Sequence, residues 1–170
     1  AIALACNPIL LIADEPTTAL DVTIQAQVLE LMHELRRKIN TSLIMITHDL
    51  GIVAEMCDKV AIMYAGRVVE YASTEALYNR PAHPYTEGLF NSIPDIDRDE
   101  EELKVIQGLL PDPTNLPSGC SFHPRCPYAI DSCSTDMPPM VEIEAGHFVA
   151  CPVRFEHWKN AADGNGGVKR

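Results

Sequence analysis

The most constraining feature of the sequence is a short apolar run that ends in two adjacent carboxylates. Residues Ile9 to Ala13 have the length and character of a buried strand in a parallel sheet. Asp14 and Glu15 follow directly, at the edge where open α/β sheets bind their ligands. Because unpaired buried charge is costly, the pair predicts a metal ion with phosphates beside it. The alternative is an acidic pair in the first turn of a helix, where the helix dipole favours carboxylates.

A second apolar run, Ser42 to Ile46, is followed closely by His48. Between the two runs, residues 21–39 carry apolar side chains at helical spacing, with Asp21 as the N-cap and basic residues at the end. Strand, helix and strand in this order predict a βαβ unit, and hence an α/β fold with a parallel sheet. A lone histidine in such a place is either a functional residue or a hydrogen-bonded structural one.

Together these segments resemble motifs of the ATP-binding cassette (ABC) ATPases. Leu10 to Asp21 is similar to the Walker B segment and D-loop, and Ser42 to Leu50 is similar to the segment with the switch histidine. The resemblance implies the C-terminal part of a P-loop NTPase domain of the ABC type. No Gly-x-x-x-x-Gly-Lys-[Ser/Thr] loop and no Leu-Ser-Gly-Gly-Gln-type signature occurs in the sequence. We therefore expect negligible ATP hydrolysis by this chain alone.

The resemblance also implies a role for each polar residue of these segments. Asp14 would hold Mg²⁺, Glu15 would orient and polarise the attacking water, and His48 would contact the γ-phosphate of ATP. Asp21 would lie at the interface with a second ATPase subunit. The implied cofactors are ATP and Mg²⁺, and the implied activity of an intact subunit is that of an ABC-type ATPase.

Charge and hydropathy argue against a nucleic-acid-binding protein and against a membrane-spanning one. The formal net charge is −11 over 170 residues, which argues against a nucleic-acid-binding surface. No apolar run approaches the roughly 20 residues that span a bilayer. The resemblance instead implies a peripheral location at the cytoplasmic face of the inner membrane. The implied partners are two transmembrane permease subunits, a second ATPase subunit and an extracytoplasmic solute-binding protein.

Residues 80–86 narrow the resemblance to one branch of the family. They read Arg-Pro-Ala-His-Pro-Tyr-Thr, similar to the His-Pro-Tyr-Thr segment of the oligopeptide/dipeptide and nickel importer ATPases. The solute implied is a di- or oligopeptide or a related small molecule. Pro84 favours a helix that begins there and continues from Tyr85 to Ile93. We interpret His83 as a capping residue before this helix, the alternative being a ligand.

Upstream of this segment, Lys59 to Tyr64 and Arg67 to Tyr71 predict the two strands of a hairpin.

Four of the six cysteines lie in a proline-containing segment with few signs of regular structure. Their spacing is Cys-x₅-Cys-x₆-Cys-x₁₇-Cys, at Cys120, Cys126, Cys133 and Cys151. Cysteine-rich modules of intracellular proteins bind metal more often than they form disulfides. The spacing lacks the Cys-x₂-Cys pair typical of zinc fingers, which weakens zinc. The two remaining cysteines, Cys6 and Cys57, are predicted to be small buried hydrophobes.

The oligopeptide/dipeptide ATPases carry a C-terminal extension with this cysteine pattern, and some members bind a [4Fe–4S] cluster there. The resemblance therefore implies a [4Fe–4S] cluster on the four cysteines, with zinc or no metal as alternatives. His123 would substitute as a ligand only if one cysteine were unused. We favour a structural role over a redox role, because metal–thiolate bonds would order a loop-rich segment.

These patterns predict three parts. The resemblance implies that residues 1–94 are the C-terminal part of an ABC ATPase domain and that residues 95–160 are a small loop-rich, cysteine-containing extension. Residues 161–170 are expected to form a flexible tail. The extension begins with an acidic run at 95–102, which we interpret as a solvated linker. It also contains a short strand at 146–150 and a last helix at 153–160. The competing hypothesis is a metal-binding or interaction module whose ATPase motifs are vestigial.

Overall fold

A computed structural model describes residues 2–4, 6–39, 41–93 and 105–155 of the chain. The chain divides into two compact units, Ala1–Asp58 and Lys59–Arg170. Both parallel and antiparallel strand pairs occur among the described residues, together with helices. The predicted mixed α/β class is therefore confirmed. The predicted acidic linker at 95–102 and the predicted tail at 161–170 lie outside the described residues.

The first unit is built around two parallel strands. Its elements are a 3₁₀ turn (Ile2–Leu4), β1 (Leu10–Asp14), α1 (Val22–Ile39), β2 (Ser42–Ile46) and α2 (Leu50–Met56). β1 and β2 pair in parallel register, with Asp14 opposite Ile46. The strand–helix–strand unit predicted from the apolar periodicity is confirmed, and α1 begins within one residue of the predicted position.

Helices α1 and α2 supply the core of this unit. Leu29, Ile52 and Met56 are buried, and partly buried side chains of β2 pack against them. The other face of the sheet is open, since Ile12 is 61% exposed and Ile44 is 47% exposed. The prediction of a buried strand is therefore wrong. Successive strand residues point to opposite faces, and the described helices of this unit cover only one of them.

The second unit contains an antiparallel sheet. Its elements are β3 (Lys59–Tyr64), β4 (Arg67–Ser73), α3 (Thr74–Asn79), α4 (Pro84–Asn91), a 3₁₀ turn (His123–Arg125), α5 (Ser132–Thr135), β5 (Val141–Glu144) and β6 (His147–Val149). The strand order is β3-β4-β6-β5. The predicted hairpin is confirmed, and Ala65 (φ 47°) and Gly66 (φ 77°) both adopt the left-handed conformation of a type I′ turn.

Strands β5 and β6 attach the cysteine-containing segment to this hairpin. Glu70 of β4 pairs with Val149 of β6, and Tyr71 pairs with Phe148. β6 confirms the short strand predicted at 146–150, whereas β5 was not predicted. The second compact unit includes residues on both sides of the predicted boundary at 94 and 95, and the division into three parts stays a prediction.

A buried carboxylate joins three segments of the second unit. Glu70, fully buried in β4, accepts hydrogen bonds from the backbone N–H groups of Ala82 (2.7 Å) and His83 (2.8 Å). Its Oε1 also lies 2.7 Å from Nε2 of His147, which is buried in β6. Burial raises the pKa of Glu70, but hydrogen bonds from His147, Thr86 and the two backbone groups together bring it below its ordinary value. An ionised side chain thus holds the His-Pro-Tyr segment and β6 against β4.

Candidate functional site

The ends of β1 and β2 bring Glu15 and His48 together. The Glu15 N–H donates to the Ile46 carbonyl (2.8 Å), so the parallel ladder continues one residue beyond β1. The Glu15 Oε1 atom lies 2.9 Å from Nδ1 of His48, within hydrogen-bond distance. Asp14 occupies the last position of β1 and is exposed. Three polar residues predicted from the sequence therefore lie at one edge of the sheet, where both strands end.

A tight turn after β1 shapes the backbone around Glu15. Glu15 has a φ of 46° and Ala19 has a φ of 62°, both in the left-handed region. That conformation costs roughly 1–2 kcal/mol for a residue with a side chain, and such strain is concentrated at functional sites. Thr18 stabilises this turn with two hydrogen bonds to Glu15. Its N–H donates to the Glu15 carbonyl (3.2 Å), and its hydroxyl donates to Glu15 Oε2 (2.6 Å).

Hydrogen bonds shift the pKa values of Glu15 and His48. The hydrogen bond from Thr18, followed by the one with His48, lowers the pKa of Glu15 below its ordinary value. The same contact with Glu15 raises the pKa of His48. At neutral pH Glu15 is therefore an ionised carboxylate, which only accepts hydrogen bonds and can orient a water molecule. The side chains of Glu15 and His48 are 38% and 80% exposed, so a ligand can reach both.

Two further aspartates fix the helices that follow the strands. Asp21 Oδ1 accepts from the N–H groups of Thr23 and Ile24, both at 3.0 Å, which confirms the predicted N-cap of α1. Asp49 Oδ1 caps α2 in the same way, accepting from Gly51 N at 2.8 Å. The role of Asp21 at a subunit interface stays a prediction.

The four cysteines of the second unit lie near one another. Burial raises the pKa of the Cys126 thiol to about 11, and the Cys151, Cys120 and Cys133 thiols add to that rise. The N–H of Cys120 donates to the carbonyl of Cys133 at 2.9 Å. Within the described ranges, however, no group of three or more His, Cys, Asp or Glu side chains is arranged to hold a metal ion. The predicted zinc or iron–sulfur site therefore gains no support as a preformed metal centre.

His83 and His123, both considered in the sequence analysis, make hydrogen bonds with the backbone. His83 is the N-cap of α4, and its Nδ1 accepts from the Tyr85 N–H at 3.1 Å, as the capping interpretation predicted. Burial lowers the pKa of His83 to about 4, so its imidazole is neutral at neutral pH. His123 Nδ1 lies 2.9 Å from the carbonyl oxygen of Cys120. Cys6 is exposed and Cys57 is half-buried, so the prediction that both are buried is wrong.

The hydrogen-bonding roles of Thr18 and Glu70 were not predicted from the sequence. The signal for Thr18 was its position three residues after Glu15, the spacing at which a turn brings side chains together. Glu70 had no such signal, because a charged residue in a short strand is usually taken to face solvent. Its partner His147 lies 77 positions away in the sequence.

Comparison with known proteins shows which proteins this chain is similar to, and this evidence does not depend on the structure. Residues 69–133 match the family model described as the C-terminal region of oligopeptide/dipeptide transporters. The chain is 59% identical over 151 residues to the oligopeptide transport ATP-binding protein AppD of Bacillus subtilis. It is 52% identical over 151 residues to the oligopeptide transport ATP-binding protein OppD of Salmonella typhimurium. The resemblance to this transporter family is confirmed.

The matches cover most of this chain but only part of the relatives. They span 89% of the present sequence, 46% of AppD and 45% of the Salmonella OppD. The chain thus spans a little under half the length of these curated relatives. In the parts of the chain that the structure describes, no helix is both long enough and apolar enough to cross a membrane.

Proposed function

We propose that this chain is part of an ATP-hydrolysing subunit that powers import of di- or oligopeptides, or related solutes, across a membrane. The observation that carries the proposal is the Glu15–His48 pair at the ends of two parallel strands. This pair occurs in a chain that is 59% identical to an oligopeptide transport ATP-binding protein over 151 residues.

Each residue of the pair has a role that its geometry supports. Glu15 is ionised and directed at His48, which suits a group that orients and polarises an attacking water. His48 is exposed and able to donate to a γ-phosphate oxygen. Asp14, beside them, would hold Mg²⁺, and the metal would neutralise charge on the phosphates. Asp21 would contact a second ATPase subunit while its carboxylate caps α1.

The assembly follows from the same proposal. The subunit would work with a second ATPase subunit, two permease subunits and an extracytoplasmic solute-binding protein, at the cytoplasmic face of the membrane. The sequence of this chain holds no phosphate-binding Gly-Lys loop. The 170-residue chain alone is therefore inactive, and clear Mg·ATP turnover by it would contradict this.

The deciding experiment replaces Glu15 in the intact subunit. Glu15→Gln keeps the shape of the side chain but removes its charge, so ATP should bind and remain unhydrolysed. We expect phosphate release to fall by at least about 100-fold, in line with the loss of a general base. Glu30→Gln, at an exposed position of α1, is the matched control and should hydrolyse ATP at the normal rate. Normal turnover of the Glu15 variant would exclude its catalytic role.

We also propose, as a separate role for the second unit, that its four cysteines ligate a [4Fe–4S] cluster that orders the segment. Support comes from the closeness of the cysteines. Burial and neighbouring cysteine thiols raise the pKa of both Cys126 and Cys151, and the Cys120 N–H donates to the Cys133 carbonyl at 2.9 Å. The four cysteines would hold the cluster as thiolates, and the metal–thiolate bonds would order a segment with little regular structure.

Iron, acid-labile sulfide and zinc content of protein purified without oxygen tests this second proposal. About four irons and four sulfides per chain are expected. One zinc without sulfide would replace the cluster by a zinc site. Protein without metal would exclude both, and would leave this segment as an interaction surface.

A further inference from the structure

Both oxygens of the Glu15 carboxylate are engaged, each by a different side chain. Oε2 accepts from the Thr18 hydroxyl at 2.6 Å, and Oε1 lies 2.9 Å from the His48 ring. The three groups form a continuous chain of hydrogen bonds on the surface of the first unit. Thr18 stands at one end of this chain of hydrogen bonds and His48 at the other.

We propose that Thr18 is a positioning residue whose hydroxyl fixes the Glu15 carboxylate so that Oε1 faces His48. The proposal rests on the proposed ATPase function, because positioning matters only if Glu15 handles the attacking water. It adds a residue that acts through Glu15 and need not touch the nucleotide.

Glu15 is only partly buried, so its neighbours do not fix its side chain by packing alone. Its side chain has several rotatable bonds, and ordering it costs conformational entropy. A neutral donor at 2.6 Å from a carboxylate oxygen forms a charge-assisted hydrogen bond of the strong class. Because this bond occupies Oε2, it leaves Oε1 directed at His48. Without the hydroxyl, the carboxylate would sample other rotamers and the contact with His48 would weaken.

The backbone makes the hydroxyl well placed for this task. The left-handed φ of 46° at Glu15 and the bond from the Thr18 N–H to the Glu15 carbonyl hold the two residues in one tight turn. A substitution that removes only the hydroxyl leaves this backbone bond in place. The effect of the hydroxyl on the carboxylate can therefore be separated from the folding of the turn.

The test uses two substitutions at one position and a control. Thr18→Val has nearly the same shape without the hydroxyl, whereas Thr18→Ser keeps a hydroxyl on a smaller side chain. Thr23→Val, at an exposed position of α1, controls for the loss of a surface threonine hydroxyl. Thermal unfolding of each variant checks that the first unit is intact.

The first measurement is the NMR titration of the His48 ring in this chain, which does not depend on ATP hydrolysis. Contact with Glu15 raises the pKa of His48 above 6.5. We expect Thr18→Val to move that pKa back towards 6.5, and Thr18→Ser and Thr23→Val to leave it raised. An unchanged His48 pKa in folded Thr18→Val would overturn the proposal.

The second measurement is ATP turnover by the intact subunit. We expect Thr18→Val to lower kcat about tenfold, as for the loss of one hydrogen bond to a charged group, with KM for ATP little changed. Thr18→Ser should restore most of the rate. If Glu15→Gln abolishes turnover while Thr18→Val does not alter kcat, the positioning role is refuted and the ATPase function stands. If Glu15→Gln retains turnover, the ATPase role assigned to Glu15 fails, whereas the titration still decides whether Thr18 orients the carboxylate.

Discussion

The buried His83 imidazole should make the second unit sensitive to mild acid. His83 is 1% exposed, and burial lowers its pKa from 6.5 to about 4. The unfolded chain therefore binds a proton on this residue at a higher pH than the folded chain does. The stability contribution of neutral His83 is complete above about pH 7.5 and is lost as the pH falls from 6.5 towards 4.

The two pKa values set the size of the effect. One unit of pKa difference corresponds to about 1.4 kcal/mol, so the full difference is worth about 3 kcal/mol. Linkage places about 2 kcal/mol of this loss between pH 7.5 and pH 5. The lowered pKa of Glu70 also removes stability in acid, but only once the pH approaches the ordinary value of 4.5. The loss of stability between pH 7.5 and pH 5 therefore comes mainly from histidine protonation.

The assay is urea unfolding at pH 7.5 and pH 5, followed through the NMR amide signals of the buried β4 residues Val69 and Ala72. His83→Asn is the matched variant, because asparagine also caps helices but does not titrate. It is expected to be less stable than wild type at pH 7.5, yet to lose about 2 kcal/mol less on acidification. Equal losses in the two proteins, or a His83 ring that protonates near pH 6.5, would refute the reasoning.

Two further predictions concern the stability of the second unit and use the same unfolding assay at pH 7.5. Gly119→Ala would place a Cβ atom 2.4 Å from the Cys133 carbonyl oxygen at a φ of 66° and should cost about 3 kcal/mol. Gly146→Ala, at a φ of 74° but with nothing within 4 Å, should cost only about 1 kcal/mol, and equal costs would contradict the steric argument. Glu70→Gln should cost about 3 kcal/mol, because an amide NH₂ would face N–H donors, and a cost below about 1 kcal/mol would show that the buried charge is dispensable.

Local features of the protein were predictable from the sequence. The apolar spacing and the Asp21 cap predicted α1, and two strand-like runs only two residues apart predicted the hairpin of β3 and β4. The capping role of His83 followed from the proline after it. Each of these depends on residues within a few positions of one another. The motifs also indicated similarity to one transporter family, and the comparisons confirm that similarity.

Contacts between distant residues were decided only by the tertiary structure. Glu15 and His48 are 33 positions apart, and their 2.9 Å contact exists because β1 and β2 pair in one particular register. Glu70 and His147 meet across β4 and β6, a pairing that no local pattern indicated. The prediction that β1 is a buried strand was wrong for the same reason. Periodicity shows which side chains share a face, whereas only the packing of whole elements decides what covers that face and which polar groups meet at its edge.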